Sequence, residues 1–127
     1  MKILFYDTKQ YDIDSFTREN EAYNNELKFL DFKLTEESVE LANGYDAVCV
    51  FVNDIVTETI IDRLYSLGVK VIALRCAGYN NIDFKSAFGK VHVVRVPSYS
   101  PYAVAEHAMA LIMTLNRKTH KAYNRTK

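Results

Sequence analysis

The sequence predicts an α/β fold, a flavodoxin-like five-stranded parallel sheet with helices on both faces, followed by one long apolar helix. Three observations carry this expectation. Five short apolar runs recur along the chain, each followed by a stretch of helical character. One of them, Asp46–Val52, is almost continuously apolar and β-branched, the mark of a strand buried on both faces. Strands that alternate with helices pair in parallel, and right-handed crossovers leave few topologies, of which the flavodoxin-like order fits best.

Lys2–Tyr6 reads as the first strand, and Asp7–Lys9 turns out of it. Tyr11–Tyr23 is polar but carries Ile13, Phe16 and Tyr23, which predicts a helix with a narrow apolar face. Leu27–Phe32 is the second strand. Thr35 can cap a helix through Leu41, with Glu36 and Glu37 complementing the dipole of its first turn and Gly44 just past its end. Asp46–Val52 is the third strand. Thr57 caps the next helix, which carries Ile60, Ile61 and Leu64 and stops at Gly68. Lys70–Leu74 is the fourth strand, Asn81–Phe88 a short helix closed by Gly89, and Val91–Val96 the fifth strand.

The last helix differs from the others. Ser100 is placed to cap it, and Pro101 to begin it, where a missing N–H costs nothing. Tyr102–Leu115 is rich in Ala, Val, Leu, Ile and Met around most of its circumference. Such a helix calls for burial on most sides, and one small sheet covers only one of them. A second domain or a second subunit is therefore expected against it. From Asn116 onward the chain is polar and basic (Arg117, Lys118, His120, Lys121, Arg125, Lys127) and ends without a packing element.

At 127 residues, with 49% hydrophobic and 25% charged side chains, the chain has the size and composition of an ordinary globular domain. Its net charge is zero, but residues 1–66 hold 14 acids and 6 bases while residues 67–127 hold 2 acids and 10 bases. The basic half can attract an anionic substrate, a nucleotide or a nucleic acid, or be no more than a solvated face with a basic tail. Cys49 lies inside an apolar run and Cys76 in a loop, at a spacing that suits neither a zinc site nor a CxxC redox pair. Two unpaired thiols, no signal-peptide core and no run long enough to span a membrane lead to the expectation of a cytoplasmic protein.

Ligands of open parallel sheets bind at the carboxyl ends of the strands. Three segments converge there, Phe51–Asp54, Arg75–Asn80 and Pro97–Tyr99. The middle one is the most informative. Gly78 permits unusual backbone and close approach of a ligand, consecutive loop N–H groups can cradle a carboxylate, and Arg75 brings a planar donor fork. On chemistry alone, a glycine turn with an arginine capping nearby carbonyls remains equally open.

The stretch Arg75-Cys76-Ala77-Gly78-Tyr79-Asn80-Asn81-Ile82-Asp83 resembles the R-x-x-G-x-x-N-I-D segment of the D-2-hydroxyacid dehydrogenases. Val96-Pro97-Ser98-Tyr99-Ser100-Pro101-Tyr102-Ala103-Val104-Ala105-Glu106-His107 resembles that family's V-P-x-Y-S-P-x-A-V-A-E-H segment, and its tyrosine is typical of the D-lactate branch. The two occur in the expected order and separation, and the five-strand pattern upstream fits as well.

The resemblance implies a substrate domain over residues 1–100 and, over 101–127, a helix crossing to an NAD-binding Rossmann domain whose active-site cleft faces the first. It implies that the Ala77 and Gly78 N–H groups bind a substrate carboxylate and that Tyr99 contacts the same group or shapes the pocket. It makes Phe51 the wall beside the methyl of a small substrate, and Arg75 a residue that more readily holds the loop than touches substrate. The reaction implied is reduction of pyruvate or a similar 2-keto acid to the D-2-hydroxy acid with NADH, in a homodimer, with no role for nucleic acid or membrane.

The chain has Gly44, Gly68, Gly78 and Gly89 but no G-x-G, so the resemblance puts NAD on the domain beyond it. The family's catalytic arginine, histidine and carboxylate also fall beyond residue 127, so no catalytic, cofactor-binding or metal-binding residue is expected here. The chain by itself is expected to be inactive. His92, His107 and His120 have no partner at metal-ligand spacing and read as structural or surface residues.

Two other readings have the same fold. A receiver domain would use Asp7 and Asp54 for metal binding and phosphorylation. Against it, Asp7 is followed by Thr8-Lys9 instead of a second acid, Leu74-Arg75 stands where a Thr or Ser is wanted, and Val96-Pro97 replaces Lys-Pro. A dehydrogenase-like corepressor is the other, against which Tyr99-Ser100-Pro101 leans toward the lactate-type enzymes.

Overall fold

A computed structural model describes residues 1–126; Lys127 of the basic tail lies outside the described residues. The chain divides into two compact units, Met1–Pro97 and Ser98–Lys127.

The first unit is a sheet of five parallel strands: β1 (Lys2–Phe5), β2 (Glu26–Phe29), β3 (Ala47–Val50), β4 (Val71–Leu74) and β5 (His92–Arg95). Their spatial order is β2-β1-β3-β4-β5, the flavodoxin-like order expected from the sequence. Connecting them are α1 (Gln10–Asn20), a 3₁₀ helix (Ser38–Ala42), α2 (Glu58–Ser66) and α3 (Phe84–Ala87).

Side chains alternate across the sheet, so each strand feeds two faces. Leu4 and Tyr6, Val48 and Val50, and Ile72 and Leu74 are buried in one cluster with Val39, Ile60, Ile61 and Leu64. Phe5, Ala47 and Cys49 are buried outside that cluster, on the α1 side, where Phe5 packs at 4.7 Å between ring centroids on Phe16 and at 4.8 Å on Phe29. β3 is buried at all four positions, as its unbroken apolar sequence predicts. Thr57 caps α2 by accepting from the Ile60 N–H, and Gly68, at φ +88°, follows its end.

Several elements are shorter than the sequence predicts. β2 stops at Phe29 because the Leu30 and Phe32 carbonyls accept from the N–H groups of Thr8 and Asp7, which tie the next residues to the chain leaving β1. The expected Thr35–Leu41 helix is a 3₁₀ helix beginning at Ser38, and Thr35 Oγ1 accepts from the Ser38 N–H at 3.2 Å. The expected Asn81–Phe88 helix shrinks to α3. Asn81 and Asp83 bond to Val56 through backbone groups, and the Asp83 side chain then caps α3 through the Lys85 and Ser86 N–H groups.

The second unit contains α4 (Pro101–Arg117) and α5 (Thr119–Arg125). Ser100 Oγ accepts from the Ala103 N–H, and Pro101 opens α4 as the sequence suggests. None of the α4 residues is buried. The basic tail, expected to end without a packing element, carries a short helix with no buried residue. Lys118, at φ +51°, breaks α4, and the chain resumes as α5.

Candidate functional site

In the first unit the connections leaving β3 and β4 lie side by side at the carboxyl ends of the strands, joined by the short parallel bridge between Val56 and Ile82. Asp54 organises the first connection. Its carboxylate is fully buried and accepts from the N–H groups of Phe51 at 2.6 Å and Leu34 at 2.9 Å. The Asn81 amide crosses from the other connection and donates to the carbonyls of Phe51 and Asp54, at 3.1 and 2.8 Å. Both loops are thereby held without either being a regular element.

Arg75 serves the scaffold. Its side chain is nearly buried, and Nη1 and Nη2 donate to the carbonyls of Tyr6 at 2.8 Å and Asp7 at 2.5 Å. Nε lies 3.6 Å from the Asp12 carboxylate, and the guanidinium stacks over the Phe51 ring at 4.8 Å. The brace therefore runs to the chain leaving β1, not to the carbonyls of the glycine loop. Burial, partly offset by Arg75, pushes the thiol of neighbouring Cys49 up to about 11.

The glycine loop has the opposite character. Among the described residues, the N–H groups of Ala77, Gly78, Tyr79 and Asn80 donate no hydrogen bond. Its carbonyls are engaged: Arg95 Nη1 donates to Ala77 at 2.9 Å, and Cys76 Sγ lies 3.3 Å from the Gly78 oxygen. Unpaired N–H groups in a short loop are what an anion cradle requires. Gly78 does not use the left-handed backbone that glycine would permit, and a Cβ placed there would meet nothing within 4 Å. What glycine supplies is open space. That space adjoins a cleft of about 350 Å³ lined by Val52, Ile55, Gly78, Tyr79, Asn80 and Asn81. A larger cleft, about 480 Å³, lies beside α3 and the start of β5. It is away from the carboxyl ends of the strands, where open α/β sheets bind ligands.

Of the five site residues expected from the sequence, Ala77 and Gly78 are on the glycine loop, while Phe51 and Arg75 stack on each other. Tyr99 belongs to the second unit and is exposed. His92 is exposed on β5, His107 on α4 and His120 on α5. Among the described residues no group of three or more His, Cys, Asp or Glu side chains is placed to hold a metal, and no helix is long and apolar enough to cross a membrane. Sequence reasoning missed Arg95, Asn81 and the burial of Asp54. Asp54 ends one of the segments expected at the ligand-binding end and is the phosphorylated residue of the receiver reading, but it is buried and its carboxylate is taken up by two N–H groups.

Residues 3–127 match the model of the D-isomer specific 2-hydroxyacid dehydrogenases, catalytic domain. The chain belongs to this family. It is 52% identical over 129 residues to the D-lactate dehydrogenase of Escherichia coli K12, covering 100% of this chain and 39% of that protein. Salmonella D-lactate dehydrogenase superposes with a TM-score of 0.87 at 54% identity, over 99% of this chain and 39% of that one. The pyruvate reductase of Chlamydomonas reinhardtii does so at 0.86 and 41% identity, over 99% and 38%. The D-lactate dehydrogenase of Lactobacillus jensenii, solved with NAD⁺, gives 0.68 at 32% identity, over 95% and 37%. The chain thus spans 39% of the length of the E. coli relative.

Proposed function

We propose that the complete protein reduces pyruvate, or a similarly small 2-keto acid, to the D-2-hydroxy acid with NADH, and that this chain supplies the carboxylate-binding half of the site. The observation that carries the reading is the run of N–H groups at Ala77 and Gly78, which make no hydrogen bond among the described residues, beside open space at the carboxyl end of β4. Two such donors match the two oxygens of a carboxylate. Phe51, fixed by Arg75 stacking, forms the apolar wall beside the substrate methyl. Tyr99 is assigned to substrate binding by the motif it belongs to. Arg75 acts by holding β1 and β4 in register with the site.

This chain does not fit NAD. Gly44, Gly68 and Gly89 each close a turn at positive φ, and Gly78 stands alone in its loop, so no glycine pair is arranged to receive a pyrophosphate. The cofactor and the catalytic residues are assigned to the remainder of the protein, and no hydride or proton transfer is routed through residues described here. The stretch from residue 101 on is assigned as the crossing helix. Its apolar surface is read as covered by the nucleotide domain and by the second subunit of a homodimer in the cytoplasm.

The test is reduction of pyruvate by the complete protein with NADH, with the chirality of the product determined. D-Lactate is expected, with kcat/KM higher for pyruvate than for a branched 2-keto acid, because each ill-fitting methylene costs about 1–3 kcal/mol. Absence of NADH oxidation, or an L product, would refute the reading.

A further inference from the structure

We infer that Arg95 is a positioning residue for substrate binding, which aims the Gly78 N–H by holding the Ala77 carbonyl. The inference rests on the carboxylate-binding role proposed above. Arg95 ends β5, opposite Leu74 in the β4 ladder. Its Nη1 donates to the carbonyl of Ala77 at 2.9 Å and to those of Val96 and Pro97 at 3.1 Å each. The guanidinium lies 5.0 Å from the centre of the Tyr79 ring, which keeps its plane over the loop.

The consequence follows from peptide geometry. There is no cis peptide bond among the described residues, and in a planar trans peptide the carbonyl of one residue and the N–H of the next point in opposite directions. Holding the Ala77 oxygen toward Arg95 therefore turns the Gly78 N–H away from it. A restraint is needed here. Glycine permits rotation that other residues resist, and the Gly78 Cβ position has no neighbour within 4 Å. The openness that admits a ligand also leaves this peptide plane free to turn. Arg95 acts on the substrate through that plane without touching it, and Tyr79 supports Arg95 from beneath.

The experiment compares Arg95→Met and Arg95→Lys with the parent in the complete enzyme. It reads kcat, the KM for pyruvate and for NADH, and inhibition by oxamate, an unreactive pyruvate isostere. In Arg95→Met the pyruvate KM and the oxamate inhibition constant should rise together by about tenfold, the scale of one misaligned charge-assisted hydrogen bond. The NADH KM should stay unchanged, and Arg95→Lys should recover part of the loss. A purely structural role would instead raise both KM values or lower kcat with thermal stability. If Arg95→Met does not fold, Arg95→Lys must still show the selective rise in a smaller degree. Unaltered pyruvate KM and oxamate inhibition in the folded variants would overturn the role of Arg95 alone. A parent enzyme that neither reduces pyruvate nor binds oxamate would overturn the carboxylate-binding role, and that of Arg95 with it.

Discussion

A methyl group added at Gly78 would enter open space, on backbone that any residue can adopt. Gly78→Ala is therefore expected to fold with unchanged thermal stability, while the methyl occupies room a substrate needs. The pyruvate KM of the complete enzyme should rise on the order of tenfold, the lower range for one misplaced methyl-sized group in a tight pocket. A stability loss with an unchanged KM would mean that the space does not belong to the substrate. Cys49 makes a different residue-scale prediction. Burial is the main reason its thiol moves from 9.0 up to about 11, with Arg75 opposing the shift. The folded value lies above the unfolded one, so the contribution to stability is complete below pH 9 and is lost as pH rises through 11. Urea midpoints of the parent should fall across that window, and Cys49→Ala, which removes the group, should flatten that part of the decline.

At the scale of elements, the connection leaving β3 depends on one carboxylate. Asp54→Ala leaves the Phe51 and Leu34 N–H groups buried without an acceptor. The expected cost is about 2–4 kcal/mol, read as a lower urea midpoint, and a variant as stable as the parent would contradict it. This connection also marks the limit of what was legible in the sequence. The strands were legible because β-branched runs such as Ala47–Val50 have no other use, and the caps at Thr57 and Ser100 because a hydroxyl before an apolar turn is a local signal. The shortened ends were not, because Leu30, Phe32 and Asn81 are held by backbone groups of residues distant in sequence. The glycine loop that holds Ala77 and Gly78 was legible through its motif. Arg95 was not: its partners are carbonyl oxygens, which every residue possesses. The α5 helix was missed because its basic, polar sequence has no apolar periodicity to announce it.

Over the whole molecule, α4 has an apolar surface larger than the second unit covers for itself. Val104, Met109, Leu111, Ile112, Met113 and Leu115 are all exposed on it. Large apolar patches are rare on monomers and mark interfaces. Replacing Leu111 and Met113 with Glu should weaken association in sedimentation at several concentrations while leaving the sheet folded, and unchanged association would put the interface elsewhere. Binding of the substrate carboxylate by the glycine loop remains the claim on which the rest depends. A crystal structure of the complete enzyme with NADH and oxamate tests it most directly. The account predicts the oxamate carboxylate about 3 Å from the Ala77 and Gly78 nitrogens, a hydrogen-bonding distance, with the Ala77 oxygen still on Arg95. A carboxylate bound elsewhere, with those two N–H groups left to water, would contradict it.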